Sequence, residues 1–146
     1  MRDFIRLTEN PRRYMDLPLV ELENPGGYPA ALLGDVRVNF FHYASFAEGA
    51  ARWEERKRKI NWTRLVLIAA DRGSCDYETL MRFDRLPCPY KVIFTHRSCP
   101  EISSAVYIKG FENCGQVGIL TDFKPGLLMR RYLDDFDYVG FLNGVK

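Results

Sequence analysis

The chain has 146 residues, 47% of them hydrophobic and 27% charged. That suits one globular domain and argues against a disordered, collagenous or coiled-coil protein. With 21 basic and 19 acidic residues the net charge is +2, too even a field to mark a nucleic-acid binder.

Charge at Arg2, Asp3 and Arg6 occupies the place of a signal peptide's apolar run. Residues 2–15 read as helix in two pieces, divided at Asn10-Pro11, where a cap meets a first-turn proline. Leu17 to Glu23 reads as a short strand, followed by the turn Asn24-Pro25-Gly26-Gly27. Ala30 to Leu33 and Val36 to His42 read as a hairpin joined at Gly34-Asp35. The second strand alternates, then turns continuously apolar at Phe40-Phe41, as a strand entering the interior does. Ser45 to Ile60 carries the clearest helical pattern. Ser45 and Glu48 stand at capping-box spacing, and Phe46, Ala50, Trp53 and Ile60 share a face. Glu48/Arg52, Glu54/Arg58 and Glu55/Lys59 are i,i+4 pairs, so the basic run from Arg52 to Lys59 reads as a solvated, ion-paired face.

Arg64 to Ala70 reads as a buried strand, Asp76 to Arg85 as a helix capped by Asp76, and Tyr90 to Thr95 as another buried strand. The aliphatic run Leu65 to Ala70 is far short of the roughly 20 residues of a membrane helix, so the expectation is a soluble cytoplasmic protein. Strand, helix, strand, helix, strand with short connections predicts parallel strands and right-handed crossovers. Beyond Pro100, Ala105 to Lys109 and Val117 to Leu120 are strand candidates. Gly126 to Leu142 reads as a helix, with Met129, Tyr132, Leu133, Phe136 and Val139 at helical spacing.

In open parallel sheets, ligands bind beyond the carboxyl ends of the strands. That rule gathers His42-Tyr43-Ala44-Ser45, Asp71-Arg72-Gly73-Ser74-Cys75 and Thr95-His96-Arg97-Ser98, so both histidines fall at strand ends. His42 or His96 is the candidate base toward a sugar hydroxyl. Asp71 would orient that base or hold a divalent metal with phosphates. Arg72 and Arg97 would clamp the phosphates, helped by helix N-terminal amides; Tyr43 and Ser45 join them as substrate-binding candidates. Structural readings stand beside these. The histidines could bond neighbouring carbonyls, Asp71 could cap the turn at Gly73, and the arginines could be surface ion-pair residues. Cys75, Cys88, Cys99 and Cys114 show no Cys-x-x-Cys spacing and read as free thiols of a reducing compartment. Cys75 as a nucleophile near His96 is weaker than an inert thiol, and Cys75, Cys99, His42 and His96 match no zinc pattern, so no metal site is predicted. Phe40, Phe41, Trp53, Phe94 and Phe136 read as core. Tyr28, Tyr43, Trp62 and Tyr107 would stack on a sugar or pack at a rim. Asp134-Asp135-Phe136-Asp137 reads as the wet face of a helix.

Several motifs together resemble a known family. They are Phe41-His42-Tyr43, Ser45-Phe46, Ala50, Trp53-Glu54, Arg56 and Lys59-Ile60-Asn61; Arg82-Phe83-Asp84-Arg85-Leu86-Pro87 running to Val92-Ile93-Phe94-Thr95-His96; Tyr107 to Glu112; Gln116-Val117-Gly118; and Arg131-Tyr132-Leu133-Asp134 with Phe136 to Val139. The family is the bacterial domain of unknown function numbered nineteen-nineteen, whose members are commonly labelled exopolysaccharide biosynthesis proteins. The resemblance covers nearly the whole chain. It implies a three-layer Rossmann-like α/β fold with a mostly parallel sheet, and favours a sugar-directed transferase or accessory protein. Typical members begin with a strand and an Asn-Cys-Gly-Gly type loop ahead of the helix that here is Asp3 to Leu7. The chain is therefore expected to be short of that first strand and of a loop suited to cradle phosphate, leaving a sheet edge open to a second copy.

The expectations are thus a single α/β domain over residues 1–146 and a transferase acting on a phosphorylated sugar donor in exopolysaccharide assembly. His42, Asp71 and His96 would be catalytic; Tyr43, Ser45, Arg72 and Arg97 would bind substrate. A divalent metal accompanying the donor is compatible with this set; nucleic acid and a membrane span are not expected. The alternative is a non-catalytic binding or scaffold module of the same pathway.

Overall fold

The structure is a computed structural model that describes residues 1–73, 75–127 and 129–144. The chain divides into two compact units, Arg2–Thr63 and the chain from Arg64 onward with Met1.

The first unit holds α1 (Arg2–Glu9), α2 (Pro11–Met15), β1 (Leu19–Leu22), β2 (Ala30–Leu33), β3 (Val36–Asn39) and α3 (Phe46–Lys57). Asn10 caps α2 through Oδ1, which accepts from the Arg13 amide, and Pro11 opens the helix. The strands form an antiparallel sheet in the order β1-β2-β3, with Leu19 opposite Leu33 and Leu33 opposite Val36. The β2–β3 turn needs Gly34 at φ +64°, where a Cβ would also meet Leu17 Cδ1 at 2.8 Å. Tyr14, Leu33 and Val36 form the core, joined by Leu7, Leu17, Leu19, Val38 and Trp53. The Tyr14 hydroxyl donates to Asp35 Oδ1 at 2.7 Å, tying α2 to the hairpin turn.

Ser45 caps α3, its Oγ accepting from the Glu48 amide at 3.2 Å. Glu48 reaches back to the Ala44 amide, one residue earlier than a capping box requires. Among the described residues Glu55 pairs with Lys59 as the spacing predicts. Glu55 also takes Arg52, and Glu54 takes Lys57, both at i,i+3.

The second unit holds β4 (Val66–Ala70), α4 (Tyr77–Asp84), β5 (Tyr90–Thr95), β6 (Ala105–Tyr107), a 3-10 turn (Tyr132–Asp135) and α5 (Tyr138–Leu142). Its sheet is parallel in the order β4-β5-β6, with Ile68 opposite Val92 and Ile93 opposite Ala105. Asp76 caps α4 through the Thr79 amide at 2.8 Å, and α4 buries Leu80 and Phe83 completely. Each such burial contributes about 1.5–3 kcal/mol. On β5, Val92 and Phe94 join Ile108, Phe111 and Val117 in one cluster, while Ile93 and Thr95 alternate to the opposite face. All four are buried, which accounts for the unbroken apolar run.

The fold is therefore mixed α/β with two sheets, one antiparallel and one parallel. The predicted parallel crossover from β3 to β4 is corrected: β3 pairs with β2, because a two-residue turn forces antiparallel neighbours. The helix predicted over 126–142 is corrected as well. Phe123 bridges to Arg131, the Lys124 amide donates to Arg130 O at 2.8 Å, and Met129 sits at φ +45°. A new helix then starts only at Asp137, whose Oδ1 accepts from the Gly140 amide. Tyr132, Leu133 and Phe136 do pack on the core cluster, whereas Met129 and Val139 of the same predicted stripe are exposed. Asp134 accepts from the Arg131 amide, and Asp135 pairs with Lys124 and Arg130, so these acids close the segment on itself. Val117 to Leu120 is no strand; Val117 is buried and its amide turns to a side chain instead of a ladder. Among the described residues no helix is long and apolar enough to cross a membrane.

Candidate active site

β4 and β5 are parallel neighbours, so the residues that follow them meet at one sheet end. Asp71 follows β4, and its amide extends the ladder by donating to Phe94 O at 3.0 Å. Its side chain is 1% exposed. Oδ2 accepts from the His96 amide at 2.9 Å and from His96 Nδ1 at 2.5 Å; Oδ1 accepts from the Val117 amide at 2.8 Å. His96 follows β5, and its ring is mostly covered, at 14% exposure. Because the carboxylate accepts from Nδ1–H, the neutral ring carries its lone pair on Nε2. The arrangement has the geometry of the carboxylate–imidazole pair of a triad. The carboxylate fixes which way the ring faces. Metal ligation would cost it these bonds, and among the described residues no three His, Cys, Asp or Glu side chains are grouped to hold a metal.

Neighbouring side chains hold the loops in place. The Gly73 amide donates to Gln116 Oε1 at 2.9 Å, and Arg72 Nη2 donates to Gly118 O at 3.3 Å. Arg97 Nη2 donates to Cys75 O at 3.1 Å, and the buried Thr95 hydroxyl donates to Arg97 O at 2.7 Å. Both arginines thus bind backbone carbonyls, and Arg97 also bonds the Cys99 side chain; each guanidinium has five donors, which leaves capacity for an anion. Ser74 of the predicted site segment lies outside the described residues.

Cys75 is buried, and that burial, reinforced by the charge of Asp71, pushes its thiol up to about 11. It stays protonated at neutral pH, which favours the reading as an inert thiol. Cys75, Cys88, Cys99 and Cys114 are all free thiols.

His42, Tyr43 and Ser45 belong to the first unit. The Ser45 hydroxyl oxygen is committed to capping α3. His42 and Tyr43 line a cleft of about 260 Å³ with Phe41, Trp53 and Arg56. Of the other aromatic candidates, Trp62 lies under the Arg12 guanidinium at 4.7 Å, and the Tyr107 hydroxyl donates to Glu112 at 2.6 Å. Tyr28 packs on Phe41 with ring centroids 4.4 Å apart. The reading from residue types missed the Val117 amide and Gln116. Their signal was the motif Gln116-Val117-Gly118, whose part in the site is to supply an amide and an amide-accepting side chain.

The family described as Domain of unknown function (DUF1919) matches residues 1–143. An "Uncharacterized protein" of Haemophilus influenzae is 37% identical over 142 residues, which cover 97% of this chain and 68% of that protein.

Proposed function

The chain belongs to the DUF1919 family, and on that premise we propose that it is a transferase acting on a phosphorylated sugar donor, with His96 as general base. The observation that carries this reading is the contact between buried Asp71 and His96 at the ends of adjacent parallel strands. His96 Nε2 takes the proton of an acceptor hydroxyl, whose oxygen attacks the anomeric carbon of the donor. The bond from that carbon to the phosphate oxygen breaks, and the phosphate leaves with the electron pair. Arg72 and Arg97 offset the charge it gains. In this reading the parallel unit is the Rossmann-like part of one α/β domain, and the protein serves exopolysaccharide assembly in the cytoplasm.

Thermal-shift titration of the purified protein with a panel of nucleotide sugars tests the reading. A donor at ten times its Kd stabilises by about 1.4 kcal/mol, a rise of roughly 4 °C for a domain this size. That rise shrinks in Arg72→Ala and Arg97→Ala, each measured against its own unliganded Tm. A flat response to every nucleotide sugar at millimolar concentration overturns the reading.

A further inference from the structure

The cleft of the first unit has lining that a mere packing defect does not explain. Phe41 and Tyr43 border it, and Phe41 is 62% exposed, an apolar ring left at the surface beside the opening. Trp53 forms another wall, packed against the core of the unit. His42 and Arg56 also line the cleft, and neither side chain makes a hydrogen bond or an ion pair among the described residues. No Asp or Glu is among the lining residues. The cleft therefore offers aromatic faces, an imidazole and a guanidinium, with no carboxylate among its lining residues.

We infer that this cleft binds a single anionic sugar residue, a pyranose carrying a carboxylate or a phosphate. The sugar's C–H face stacks on Phe41 and Tyr43, as sugars do on aromatic rings exposed at a rim. The anionic group meets Arg56, with His42 as a further donor. The volume suits one ring and is small for a nucleotide sugar. Phe41, expected in the core, is exposed and is thus assigned to a binding surface, while Trp53 packs on the core as expected and backs the cleft. The inference stands on the first unit alone and does not require His96 to be a base.

Isothermal titration of the whole chain with glucuronic acid, glucose 1-phosphate, glucose and inorganic phosphate tests it. At least one of the two anionic sugars binds, and whichever binds identifies the anionic group. Neutral glucose and phosphate alone bind at least tenfold more weakly than that sugar. Arg56→Ala and Phe41→Ala each weaken binding about tenfold. Both side chains are exposed, so each variant keeps its Tm while affinity falls, a split that a purely structural residue does not show. The inference is overturned by any of three results: neither anionic sugar binds, glucose or phosphate binds as tightly as the better anionic sugar, or both variants bind like the wild type.

Discussion

A carboxylate taken out of water must find hydrogen-bond donors, and Asp71 finds them in the His96 amide, the His96 ring and the Val117 amide. Asn at this position offers one carbonyl oxygen and turns an N–H₂ toward a remaining N–H donor. Asp71→Asn is therefore expected to destabilise the fold by about 1–3 kcal/mol, read by urea denaturation. The same variant shows whether the carboxylate holds the ring. ¹⁵N NMR of neutral His96 is expected to show the Nδ1–H tautomer in the wild type and a mixture in Asp71→Asn; an Nε2–H tautomer in the wild type contradicts the geometry. At this scale the sequence was readable where a side chain carries the chemistry. Asp71 and His96 are conspicuous at strand ends. The Val117 contribution is a backbone amide, which every residue but proline has, and only position reveals it.

Helix α3 is tied to its surroundings through a residue it lacks a side chain for. A Cβ on Gly49 would lie 2.7 Å from the Phe40 ring, and Phe40 is 5% exposed with little room to move. Alanine gains up to about 1 kcal/mol of helix propensity, against about 1–3 kcal/mol for forcing atoms into a packed site. Packing is expected to win. Gly49→Ala then lowers Tm and, by displacing Phe40 in the cleft wall, weakens binding of the anionic sugar. A raised Tm with unchanged binding would show that Phe40 yields freely. Elements whose ends carry local chemistry were legible: Asn10, Ser45 and Asp76 each cap the helix predicted after them. The segment from 110 to 142 was not, because Tyr132, Leu133 and Phe136 each reach the core cluster from a turn or 3-10 geometry, and their spacing imitates a helical stripe.

Across the whole molecule, strand existence was legible and strand pairing was not. β3 and β4 both carry buried apolar residues and flank a helix, which is the pattern of a parallel crossover. The Gly34-Asp35 turn instead commits β3 to β2, and the parallel sheet is built from β4, β5 and β6. Pairing depends on partners distant in sequence, so no window of residues contains it. The strand-end rule nevertheless located Asp71 and His96, because it needs only β4 and β5 to be parallel neighbours. The central claim is that His96 acts as the base of a sugar transfer, and release of the nucleoside diphosphate from the stabilising nucleotide sugar tests it most directly. The wild type is expected to release it at a measurable rate, and His96→Gln to lower that rate about 10²–10⁴-fold. A His96→Gln enzyme that turns over at the wild-type rate contradicts the claim.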